Sequence, residues 1–171
     1  AGLAYATEDR KTYGLVLDDT IRRNVPMARL PAIARNGIVD REREAEVATE
    51  YRTRLAIKSS SIEQATVNLS GGNQQKVVLS KWLFADPEIL ILDEPTRGID
   101  VGAKFEIYTV IRDLAAQGKA IIVISSELPE LLGVTDRLYV MNEGRFVGEM
   151  PTSEASQEKI MSKIVKSGEV A

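Results

Sequence analysis

The sequence predicts an α/β fold built on a parallel sheet, and three observations carry that expectation. Ile89 to Leu92 is a continuous aliphatic run closed by Asp93-Glu94-Pro95, the pattern of a strand buried on both faces. Ile107, Val110, Ile111 and Leu114 then recur at helical spacing, with Gly118 placed to end the helix. Ala120 to Ile124 is a second aliphatic run, read as another buried strand, so the segment is strand, helix, strand. The right-handed crossover rule sets the helix on one sheet face and gathers polar loops at the strands' carboxyl ends.

In chain order, Leu3 to Ala6 predicts a first strand, followed by a polar loop through Glu8-Asp9-Arg10-Lys11 and a short extended segment at Leu15 to Leu17. Pro26 and Pro31 limit regular structure before Asp40, an N-cap for an amphipathic helix carrying Val47, Ala48, Tyr51 and Leu55. Its alternating charges, Arg41 to Glu44, read as a solvated face. Ser59 to Ser61 opens a polar connection to Leu69-Ser70-Gly71-Gly72. Val77, Val78, Trp82 and Leu83 then give the next helix one apolar face, and Asp86-Pro87 ends it. Leu138 to Met141 and Arg145 to Gly148, around Asn142-Glu143-Gly144, predict a hairpin, and Ser153 to Val165 a final amphipathic helix.

With 171 residues, 44% apolar and 27% charged, the chain has the balance of one globular domain. No apolar run reaches the eighteen residues of a spanning helix, and the first ten residues lack a basic flank followed by an apolar stretch, so neither a membrane span nor a secretion signal is expected. Twenty-two Lys and Arg against twenty-five Asp and Glu give a net charge of -3, which argues against nucleic acid as a partner. The absence of cysteine and histidine excludes thiolate or imidazole metal sites and a Ser-His-Asp triad, leaving acid and base chemistry to carboxylates, Lys or Tyr.

Two motifs carry chemistry. The aliphatic strand delivers Asp93 and Glu94 to its open end, where phosphoryl-transfer enzymes hold magnesium and position water. Strand alternation separates the two carboxylates, one for the metal and one as general base. Read alone, the same residues also suit a plain acidic turn. In Leu69-Ser70-Gly71-Gly72-Asn73-Gln74-Gln75-Lys76, two glycines just before a helix leave backbone N–H groups open to a phosphate, and Ser70 adds a hydroxyl. Alone, this too could be a serine cap with a glycine turn.

Taken in order, Leu69 to Gln75, Leu90-Ile91-Leu92-Asp93-Glu94-Pro95-Thr96 and Gly98-Ile99-Asp100 resemble the signature motif, Walker B and D-loop of ABC-type ATPases. The Asn-Gln-Gln variant, Glu8 to Lys11 and Thr96 to Lys104 are similar to the second nucleotide-binding half of the duplicated monosaccharide importers. The resemblance runs from Ala1 to about Val165. It implies a P-loop NTPase-like core with a helical subdomain, truncated at the N-terminus and lacking Walker A. On it, residues 1–24 form the Q-loop region and 25–85 the helical subdomain with the signature. Residues 86–150 carry Walker B, the D-loop and the switch region, and 151–171 a C-terminal helix and tail.

The departures are as specific as the matches. The only Gly-Lys pair, Gly118-Lys119, is followed by Ala120 and preceded at the required place by Asp113, so no Walker A is present. Glu8 holds the Q-loop glutamine position and Ser126 the switch-histidine position. The resemblance therefore implies Glu94, Ser126 and Glu8 as the catalytic set of a weakened site, and Asp93 and Glu8 as magnesium groups. Ser70, Gly71, Gly72, Asn73, Gln74 and Asp100 are implied as nucleotide-facing groups that complete the other half's ATP site. It further implies ATP and Mg2+ as cofactors. The implied partners are a second nucleotide-binding half, membrane permease subunits and, indirectly, a periplasmic sugar-binding protein, at the cytoplasmic face of the bacterial inner membrane. A second reading makes the chain a non-catalytic dimerisation and regulatory module. A third, an ABC ATPase of DNA repair or translation, is disfavoured by the acidic charge and by the lack of long heptads.

Overall fold

The computed structural model describes residues 2–168; Ala1 and residues 169–171, the end of the expected tail, lie outside them. The chain divides into two compact units, one ending at Ile124 and the other beginning at Ser125. Length alone argued for one domain, and the division falls inside the stretch 86–150 read as a single segment. Its physical basis is that the strands beyond Ser125 pair with each other and bury a small core of their own.

In the first unit, β1 (Leu3–Ala6) leads into a helical turn at Arg10–Gly14 where a loop was expected, because the Asp9 carboxylate accepts from the N–H groups of Lys11 and Thr12 at 3.1 and 3.0 Å. Leu15 is extended, as predicted. A short α1 (Ile21–Asn24) and a 3-10 stretch, Val25–Ile33, kinked at Arg29, fill the region marked irregular. Pro26 sits in its first turn, where the missing N–H has no partner to lose. β2 (Ala34–Arg35) and β3 (Ile38–Val39) form a minimal hairpin turning on Asn36 and Gly37, both at positive φ.

Asp40 caps α2 (Arg41–Arg54) as the sequence predicts. The charged face is only partly solvated: Glu44 is buried, with Oε2 3.0 Å from Arg22 Nε. α3 (Gly71–Ala85) ends on Asp86 in the left-handed conformation, followed by β4 (Ile89–Asp93), α4 (Val101–Ala116) and β5 (Ala120–Ile124). Gly118, at φ +85, follows the end of α4 as expected.

The three strands form a parallel sheet in the order β1-β4-β5, with Leu3 beside Ile89, Ala6 beside Leu92 and Asp93 beside Ile124. Ala4, Ala6, Leu90 and Leu92 point into the core built by Val77 and Val78 of α3 and Ile107, Ile111 and Leu114 of α4. The expectation of strands buried on both faces is corrected here. The opposite face carries Leu3, Tyr5, Ile89, Ile122 and Ile124, all exposed, because α3 and α4 pack on the same side. In the second unit, α5 (Leu128–Val134) precedes β6 (Arg137–Asn142) and β7 (Arg145–Pro151), the predicted hairpin, which turns on Glu143 and Gly144. α6 (Gln157–Gly168) starts later than Ser153 because Thr152–Glu154 make a separate 3-10 turn.

Candidate functional site at the carboxyl end of the sheet

The site is built by the start of α3, the loop between β4 and α4, and the segment after β1. Ser70 caps α3: the Asn73 N–H donates to its Oγ at 3.4 Å and the Asn73 side-chain amide at 2.9 Å. Asn73 Oδ1 in turn accepts from the Lys58 N–H at 2.8 Å, so the cap is tied to the preceding loop. The amides of Gly71 and Gly72 stand in the first helical turn, which has no acceptor for them within the helix. Such a terminus favours an anion.

The two glycines are also required by packing. A Cβ on Gly72 would lie 2.6 Å from Ala103 Cβ of α4, and one on Gly71 would lie 2.9 Å from Arg10 Nη2 and 3.2 Å from the Gly98 carbonyl oxygen. Glycine at 71 and 72 therefore lets α3, α4 and the loop after β4 close on one another. Gln74, buried, donates to the Thr66 carbonyl at 3.0 Å, while its Oε1 accepts from Arg10 Nε at 3.4 Å. Its side chain braces the turn from beneath.

Asp93 ends β4 on the open face of the sheet. Because Tyr5 lies beside Ile91 in the register, its ring reaches along that face and its hydroxyl donates to Asp93 Oδ2 at 2.5 Å. That bond to a carboxylate holds the phenol above its ordinary pKa. Glu94 adopts φ +45, a conformation L-residues avoid, with its N–H donating to the Ile124 carbonyl at 2.8 Å. A non-glycine residue held there costs roughly 1 kcal/mol or more and turns the chain sharply away from the strand. Asp100 caps α4, its Oδ1 accepting from the Ala103 N–H at 3.0 Å.

The remaining expected groups are distributed differently. The Glu8 carboxylate pairs with Arg97, so it is engaged by the loop after β4. Ser126 belongs to the second unit, next to Ser125, whose hydroxyl bonds Glu130. Sequence reasoning missed Tyr5 and the linking role of Arg10. The alternation of β1 puts Tyr5 on one face, but which residue it meets depends on a pairing register that no single strand encodes.

Among the described residues no three His, Cys, Asp or Glu side chains converge on a metal position. Magnesium that arrives on a nucleotide takes most of its ligands from phosphates and water, and Asp93, oriented by Tyr5, fits that smaller demand.

Residues 5–97 match the family described as ABC transporter. The chain belongs to that family. It is 57% identical over 165 residues to the L-arabinose transport ATP-binding protein AraG of Geobacillus stearothermophilus, covering 96% of this chain and 32% of that protein. It is 52% identical over 161 residues to the ribose import ATP-binding protein RbsA of Bacillus subtilis, covering 94% and 33%. The chain therefore spans about a third of the length of the curated relatives it matches. Its fold is that of a nucleotide-free ATP-binding cassette from an ABC transporter (TM-score 0.76, 20% identity, 96% of this chain and 67% of that one). A dimeric post-hydrolysis cassette bound to ADP and Pi is also similar (TM-score 0.72, 20% identity, 88% and 62%). No helix among the described residues is long and apolar enough to cross a membrane.

Proposed function

We propose that this ABC-family chain is a segment of the ATP-binding subunit of a bacterial sugar importer, the later part of a second nucleotide-binding half. In the intact protein the reaction is hydrolysis of Mg-ATP coupled to monosaccharide uptake. Permease subunits and a second nucleotide-binding half are the direct partners, a periplasmic sugar-binding protein is an indirect one, and the subunit sits at the cytoplasmic face of the inner membrane. The observation that carries this reading is the capped glycine turn at the start of α3, held beside the loop after β4, in a chain half-identical to sugar-import ATP-binding proteins.

On this reading Ser70 donates its hydroxyl, and Gly71 and Gly72 their amides, to the γ-phosphate of a nucleotide whose P-loop belongs to the other half. Asp93 would hold the metal of the site on this half, and Glu94 would polarise water there. Magnesium held there with the nucleotide would supply neutralisation of phosphate charge. Glu8 replaces a group that would orient that water, which leaves this half's own site slow and makes the turn at Ser70–Gly72 the main catalytic contribution.

The test is calorimetric titration of Mg-ATP into the purified 171-residue chain. Without a P-loop and its Lys, binding is expected to be weak or undetectable. Submicromolar binding would overturn the reading, and a chain that instead dimerises and modulates a complete cassette without altering its signature site would favour the regulatory module.

A further inference from the structure

Arg10 joins three segments that are far apart in sequence. Its Nη1 donates to the Arg97 carbonyl at 2.9 Å and its Nε to Gln74 Oε1 at 3.4 Å. Its Nη2 lies where a Gly71 side chain would begin, 2.9 Å from that Cβ position, and 3.9 Å from the corresponding position on Gly98. The guanidinium is partly withdrawn from water, and the Asp9 cap fixes the helical turn from which it projects. Glu8 also pairs with Arg97 of the same loop.

We infer that Arg10 is a positioning residue for the glycine turn, clamping the start of α3 to the loop after β4 and so setting where the first-turn amides point. A planar fork with several fixed donors is suited to this role, since it reaches a carbonyl on one side and an amide oxygen on the other at once. A lysine offers one flexible head at a single point. Gly71 is then a glycine in part because the guanidinium lies across it. The consequence for catalysis rests on the proposed function; the clamp itself does not.

The experiment is amide hydrogen exchange on the full chain, comparing wild type with Arg10→Ala and Arg10→Lys. The reporters are the N–H groups of Asn73 and Gln74, which bond Ser70, and those of Arg97 and Ile99, which bond Glu94 and Thr96. Glu44 and Leu55 in and after α2 are internal controls. Both variants are expected to speed exchange at the four reporters at least about tenfold with the controls unchanged. In the intact ATPase, Arg10→Lys is expected to lower kcat at least about tenfold while the KM for ATP stays within about twofold. Unchanged reporters in a folded variant, or acceleration spread evenly to α2, would overturn the clamp. Should Arg10→Ala not fold, Arg10→Gln, shorter but still planar, is held to the same criterion. Altered exchange with normal turnover would leave the clamp standing and contradict the proposed function instead.

Discussion

Lys76 Nζ lies 2.7 Å from Glu106 Oε2, joining α3 to α4, with the lysine 2% exposed and the glutamate 44%. The ammonium also donates to the Ala56 carbonyl at 2.9 Å, closing a turn in which Ala56 is held at φ +48. The pair is therefore unequal: one partner is dry and the other wet.

That inequality predicts unequal substitutions. Glu106→Ala leaves a buried ammonium with a single carbonyl for compensation and should cost about 2 kcal/mol, less than a fully buried pair because Glu106 is solvated. Lys76→Met removes the buried charge together with its need for a partner and should cost about 1 kcal/mol or less. Urea denaturation of both variants measures the difference; equal losses would refute it. The Lys76 hydrogen bond and charge draw the Glu106 carboxyl below its ordinary value. Its contribution is thus full above the unfolded glutamate pKa of about 4.3 and is lost as pH falls through the lower folded value. The Glu106→Ala variant should show a flatter stability profile below pH 5.

Gly72→Ala sets two effects against each other. Alanine in a helix is favoured over glycine by about 1 kcal/mol. The added Cβ, however, would meet Ala103 Cβ at 2.6 Å, a distance that forces α3 and α4 apart. Overpacking of this kind costs about 1–3 kcal/mol, so the net result should be destabilisation. A thermal melt with an unchanged or raised midpoint would show that the helices separate without cost.

Much of this was legible in advance. The cap at Asp40, the ends at Asp86 and Gly118 and the hairpin at Glu143-Gly144 follow from local chemistry, and all have short-range causes. The run Ile89 to Leu92 does not by itself reveal the open face of the sheet, because an aliphatic run looks the same whether one or both faces are covered. Nor was the buried Glu44, whose environment depends on Arg22 arriving from another element. In the site, Ser70 and the glycines were found by their pattern, whereas Tyr5 with Asp93, and Arg10 with Gln74 and Arg97, are long-range pairs set by register and packing.

The uncovered face also has a consequence for behaviour in solution. Leu3, Ile89, Ile122 and Ile124 form an exposed apolar strip across a three-stranded parallel sheet whose β1 and β5 are edges among the described residues. Such a surface promotes association. Sedimentation over a concentration series should show self-association that Ile122→Glu reduces. A monodisperse, heat-resistant monomer would show that the strip is no liability.

Whether this segment acts chiefly through its glycine turn, as proposed, and little through its own carboxylate can be read from steady-state ATP turnover of the membrane-reconstituted intact transporter. Glu94→Gln should reduce turnover only modestly. Gly71→Asp displaces the guanidinium of Arg10 and sets a negative charge where a γ-phosphate must approach. Two like charges at about 4 Å repel by roughly 4 kcal/mol at an effective dielectric of 20, up to about a thousandfold in rate. Gly71→Asp should be at least about a hundredfold worse than Glu94→Gln. Loss of turnover with Glu94→Gln, alongside near-normal turnover with Gly71→Asp, would contradict it.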